Sequence, residues 1–353
     1  MRAGSSPESA MARPSRIVPL LFCVLSPWGL PAHAWAASSI AAPVAAAAPT
    51  RTRSALAQFE HDVLSIAALR GEADRLAGAA VLARAVPGLP PVLTYKAFLK
   101  RALAAPDAGP AVQWVALGRC GTVGPQPEDC IDRAALHRLE ALAPHNAAVW
   151  LLAFDHARQH GDDRAARAAL ARAARSSEFS TYYGTLLKSV LQTARALPMP
   201  PALVRQLAGI GGNAYAATYM LAAGNVMYLP SPAMAPVFET CRNPGTGIRR
   251  AQCRRIAHLL AWGDTVIARA AGLALQQRLA ADAAARARAA AARRALTWQT
   301  QQFAVLVLKA RGDDALAGRL VQLVLEGGTE NSIQAALLRE AGIALTPPAD
   351  WKD

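Results

Sequence analysis

The chain has 353 residues, enough for one large core or two smaller ones. Hydrophobic residues make up 53%, but much of that is alanine and only 6% of residues are aromatic. Alanine forms helices well and fills cores poorly, so many closely packed helices are expected and a sheet is not. The formal charge of +14 suits weak contact with an anionic envelope surface, although an Ala/Arg-biased composition alone would produce it.

Residues 1–36 read as a secretory signal. Arg13 and Arg16 form a basic start, Ile17 to Leu30 an apolar segment, and Ala34-Trp35-Ala36 a small-x-small cleavage site. Met11 as the start would give a more usual length. The reading places the mature chain in the periplasm or outside the cell after cleavage near Ala36. Residues 37–53 are rich in Ala, Pro, Ser and Thr and read as a flexible tether. Beyond them, no apolar run free of proline and charge approaches the roughly 20 residues of a membrane span.

From residue 54 the pattern is helical. Leu56, Phe59, Val63 and Ile66 share one helical face, and Leu76, Ala79, Ala80 and Ala83 another. Val92 to Ala105 and Ala111 to Leu117 follow as helices. A loop then runs between Cys120 and Cys130.

The stretch Ile131 to Glu178 is the most regular. Ile131, Ala135, Leu139 and Leu142 recur at helical spacing before Pro144. Asn146 stands at an N-cap position, and Trp150, Ala153, Phe154 and Ala157 line the next helix. Gly161 ends that helix, Asp162 or Asp163 caps the third, and Ala166, Ala169, Leu170 and Ala173 form its buried face. Pro144, Trp150, Gly161–Asp162, Ala166, Leu170 and Ala173 together resemble a tetratricopeptide (TPR) repeat over residues 144–173. Phe154 stands where that family carries a small residue. The resemblance implies antiparallel helical hairpins and a protein-binding role.

Four cysteines remain after the signal, and in an exported chain an even number favours disulfides. Of three pairings, the local ones, Cys120–Cys130 and Cys241–Cys253, are preferred because each pair brackets a Gly/Pro-containing loop beside a helix.

Further on, Phe179 to Leu197 reads as helical, then Ala202 to Leu207, and then a helix capped by Asn213. Pro230, Pro232 and Pro236 mark an irregular stretch. Ile248 to Trp262 and Thr265 to Ala281 form a hairpin, and Asp282 to Arg311 is either a separate long helix or a continuation. Thr329 caps a last helix ending at Gly342. Gly-acid pairs at 71–72, 161–162, 263–264 and 312–313 turn the chain at intervals that are no multiple of a fixed repeat. The expected fold is therefore all-α, an irregular TPR-like solenoid of antiparallel hairpins over residues 54–346, with a tail at 347–353.

Catalytic chemistry is hard to place. His156 and His160 stand at i, i+4 without a third ligand, so no metal is assigned. The triple glycine at 209–212 lacks a preceding strand and a following Gly-Lys-Ser/Thr. No serine elbow occurs, and no cofactor or nucleic-acid partner is expected. The Arg286, Arg288, Arg293, Arg294 set reads as a solvated helix face. Five of the six tyrosines fall between 182 and 228. Tyr182, Tyr183, Tyr215 and Tyr219, with Asn213, are the candidate partner-binding residues: a solenoid groove would hold an extended peptide by aromatic anchors and amides. The reading is a binding or scaffold protein; the alternative is an envelope enzyme, for example a glycan-acting one, with an unrecognised site.

Overall fold

The computed structural model describes residues 48–118 and 132–352. Among them it contains sixteen α-helices, one short 3-10 turn and no strand. The first group is α1 (Ala48–Ala67), α2 (Ala73–Ala83), α3 (Tyr95–Ala104), α4 (Pro110–Ala116) and α5 (Arg133–Leu142). The second is α6 (Ala147–Gln159), α7 (Asp163–Arg175), α8 (Tyr183–Ala194), α9 (Pro201–Ala208), α10 (Ala214–Val226) and α11 (Met234–Thr240). The last is α12 (Ile248–Ala261), α13 (Val266–Arg278), α14 (Ala283–Ala310), α15 (Asp314–Glu326) and α16 (Glu330–Glu340). The fold is all-α, as expected, and no described helix is long and apolar enough to cross a membrane.

Local chemistry sets most boundaries. Asn146, Asp162, Thr265, Asp282, Asp313 and Thr329 each accept a backbone N–H at the start of the helix that follows. Gly161 ends α6 at φ 68°, a conformation glycine adopts without a Cβ penalty. Residues 144–175 form the α6/α7 hairpin. Trp150 donates its indole N–H to the Pro144 carbonyl at 2.8 Å and lies under Arg172, and Phe154 is buried without separating the pair.

Two elements differ from expectation, and a third settles an open choice. Residues 179–182 are not helical: α8 starts at Tyr183, and Tyr182 takes φ 59°. Met234–Thr240 is a helix despite its proline, because Pro236 falls in the first turn, where no N–H is required. Asp282 caps a separate α14, which resolves the choice left open for Asp282 to Arg311. The tail beyond Pro348 packs: the Arg294 guanidinium donates to the Trp351 carbonyl and faces its ring, and Trp298 meets that ring edge-on.

Packing links helices far apart in sequence. α6 pairs with α7, α7 with α12, α12 with α13, and α13 with α14; α14 touches α15, α15 touches α10 and α8, α8 crosses α2, and α2 reaches α5 through α4. Followed from neighbour to neighbour, the contacts close on themselves through α5 and α6. Two crossings depend on glycine. A Cβ on Gly78 would fall 2.5 Å from the Ser189 backbone on α8, and one on Gly272 would fall 2.1 Å from the Ala261 nitrogen on α12. The bond Cys241–Cys253 ties the end of α11 to α12, with Cα atoms 5.7 Å apart. Cys120 and Cys130 lie outside the described residues, as does the segment read as a signal.

Candidate functional site

The link between α7 and α8, residues 176–182, runs extended between two buried polar side chains. Asn146, with no exposed surface, does more than cap α6. Its Oδ1 accepts from Ala148 N at 3.0 Å and Ser180 N at 2.9 Å. Its Nδ2 donates to Ser180 O at 2.7 Å and Tyr182 Oη at 3.2 Å. Ser177 N and Glu178 N donate to His145 O, and Ala147 N donates to Glu178 O, so one edge of the segment is fully engaged with the start of α6.

Asp264, only 5% exposed, is the second clamp. It accepts from Thr181 N at 2.8 Å, Tyr183 N at 3.3 Å, and the hydroxyls of Ser180 and Thr181 at 3.2 Å. Tyr182, the N-cap of α8, makes no side-chain cap, so Asp264 satisfies that helix N-terminus from elsewhere in the chain. Burial is the larger influence and holds the Asp264 carboxyl above its ordinary range, against these donors. Because Thr265 takes over the capping of α13, the Asp264 side chain is released for this role.

The start of α16 seals the same turn. Glu330 N donates to Asp264 O at 2.9 Å, the Glu330 carboxylate accepts from Val266 N at 2.7 Å, and Asn331 Nδ2 donates to Gly263 O at 2.9 Å. Burial, with Asp264 nearby, pushes the Glu330 carboxyl up to about 7.

Against this rigid wall lies a cleft of about 600 Å³, lined by Ser177, Glu178, Ser180, Arg255, His258 and Trp262 among others. Arg255 is fixed by donating to Ser176 O at 3.1 Å. Trp262, at the C-terminal end of α12, is 79% exposed, with the His258 ring 6.5 Å from its own. The Ser180 hydroxyl is engaged: it donates to Asp264 and accepts from Tyr182 N. The cleft therefore offers an aromatic platform, a cation, an imidazole and the Glu178 carboxylate beside a hydrogen-bonded backbone, which suits holding a ligand.

The candidate tyrosines occupy different settings. Tyr182 packs edge-on against Trp114, 5.6 Å between rings, and accepts from Asn146. Tyr183 and Tyr219 pack on the main core, and burial, with Glu330 nearby, raises both phenols. Tyr215 is 44% exposed beside Gly318 on α15. Asn213 caps α10 and donates to the carbonyls of Ala310 and Arg311 at 2.7 and 3.1 Å. No tyrosine lines the cleft beside Trp262. The reason is topological: α8 and α10 are covered by α2, α9 and α15, so most of their aromatic faces turn inward.

His156 and His160 stack at 4.3 Å in a separate cleft of about 430 Å³, where Arg133 Nε donates to His156 Nε2 at 3.2 Å. Among the described residues no group of three or more metal-binding side chains occurs. The arginine set divides. Arg293 donates to Gln277, Arg294 holds Trp351, Arg288 lines a cavity, and Arg286 is exposed.

The sequence pointed to Asn146 as an N-cap and to Asp264 as a turn residue only; two consecutive capping candidates, Asp264 and Thr265, were the sign that one was available for tertiary use. Trp262 was visible only as a helix end. Compared with known proteins, the chain matches no family model, no curated protein and no solved structure.

Proposed function

We propose that this chain is an exported binding or scaffold protein that takes a peptide or protein partner of the cell envelope in the cleft beside Trp262. One observation carries the reading: in a chain poor in aromatics, an indole stands uncovered in a cleft whose wall is held by Asn146 and Asp264. Tryptophan is enriched at interfaces, and a fixed polar wall lowers the ordering entropy lost on binding. The α6/α7 hairpin supports the TPR-like reading of residues 144–173. The Cys241–Cys253 bond supports an oxidising compartment.

Photo-cross-linking tests the site. A photoreactive side chain at position 262 should join one envelope protein, while the same group at Leu308, exposed on α14, should not. Identical products from both positions would refute the cleft. Intact mass of the exported protein tests the compartment: it should begin near Ala37, and a retained N-terminus would refute export by this signal.

A further inference from the structure

Trp262 also lines a second cavity, of about 510 Å³, where α12, α13 and α14 meet. Its floor is Ala257, Ala261, Leu273, Leu279, Ala289 and Ala292. Alanine does not fill the space three packed helices leave. A small satellite core of Ala261, Leu273 and Leu296 adjoins it, separate from the main one.

The charged lining has one sign. Arg254, Arg269 and Arg288 line the cavity, and no carboxylate does. Arg254 is anchored there by donating Nε to Leu279 O at 3.2 Å. Burial lowers the Arg269 guanidinium, with no acid offsetting it. Arg319 shows the contrast: it pairs with Glu326 at 2.8 Å and Glu340 at 2.7 Å. Cationic groups set around an apolar hollow complement a ligand that is anionic at one end and aliphatic at the other. A peptide backbone would meet mostly methyl groups here, with Gln276 the one side-chain amide in the lining.

We propose that this cavity binds an anionic amphiphile, with its head at Arg254 and Arg288, which the Arg254–Leu279 and Arg293–Gln277 bonds place at the same end of the cavity, and its aliphatic tail along the alanine and leucine floor. The site goes beyond the partner cleft and shares only Trp262 with it, so the test leaves Trp262 untouched.

Calorimetric titration of the purified chain with dodecanoate, kept below its micelle concentration, is the direct experiment. Saturable binding at one site is expected. Arg254→Gln and Arg288→Gln should each weaken it about tenfold, the scale of one charge-assisted hydrogen bond. Ala292→Phe, which fills the floor, should abolish it, and thermal melting checks that each variant folds. If Ala292→Phe does not fold, the two arginine variants still decide. Dodecyltrimethylammonium, with the same tail and opposite charge, should not saturate. Equal affinity for the two amphiphiles, or unchanged dodecanoate affinity in both arginine variants, would overturn the proposal. So would saturable binding of a glutamate-rich peptide without binding of dodecanoate.

Discussion

Asn146 and Ser180 close a two-way amide pair: Ser180 N donates to Asn146 Oδ1 at 2.9 Å, and Asn146 Nδ2 donates to Ser180 O at 2.7 Å. A side chain thus stands in for a strand, and pins the extended link to the start of α6. Asn146→Ala removes the α6 cap and leaves Ser180 main-chain groups unsatisfied. The expected loss is roughly 2–4 kcal/mol in urea unfolding. A loss below about 1 kcal/mol would mean that the segment is not held from this side.

Stability should fall with rising pH through neutrality. Glu60 and Glu330 are each pushed from 4.5 to about 7 by burial, so the native state binds more protons than the unfolded chain in that window. Their favourable contribution is complete below about pH 4.5 and is lost as pH rises through about 7. Glu330→Gln keeps an acceptor for Val266 N and removes the titration. Melting curves from pH 5 to 8 should show a flatter profile for that variant; the wild-type slope retained in full would exclude Glu330 as a source.

The tyrosines separate by melting. Tyr219→Ala and Tyr183→Ala open cavities in a packed region, with an expected loss of roughly 3 kcal/mol or more each. Tyr215→Ala, at a half-exposed position, should change stability by less than about 1 kcal/mol. Equal, small effects at all three would return Tyr183 and Tyr219 to an open groove.

Gly272 allows α13 to lie directly on α12. Gly272→Ala places a methyl into the Ala261 backbone, so the helices must separate, at roughly 1–3 kcal/mol. The same shift should distort the arginine-lined cavity, so melting temperature and dodecanoate affinity should fall together. A variant as stable as wild type would show that the crossing has slack.

Helix existence was legible because it rests on short-range chemistry. Leu76, Ala79, Ala80 and Ala83 are all buried, as their spacing indicated, and Asn146, Asn213 and Thr329 all cap. The same Gly-acid pattern, however, does different work at each occurrence. Asp162 and Asp313 cap, Glu72 makes no side-chain cap, and Asp264 reaches across to α8. Local pattern cannot separate these, since the partners of the Asp264 carboxylate are more than 80 positions away. Phe179 to Tyr182 failed as a helix for the same reason: Asn146 and Asp264 pull it straight, and nothing in its own residues says so. Trp262 was missed because exposure depends on which neighbours fail to cover it.

The most direct test concerns Trp262. The wild-type chain and Trp262→Ala are used to capture cell-envelope proteins, which are identified by mass spectrometry, and the recovered partner is titrated against both. Because the indole is 79% exposed, the melting temperature should not change. The account expects a specific partner retained by the wild type and bound by Trp262→Ala with an affinity weaker by about 2 kcal/mol or more. Capture of the same proteins with the same affinity by both chains would contradict it.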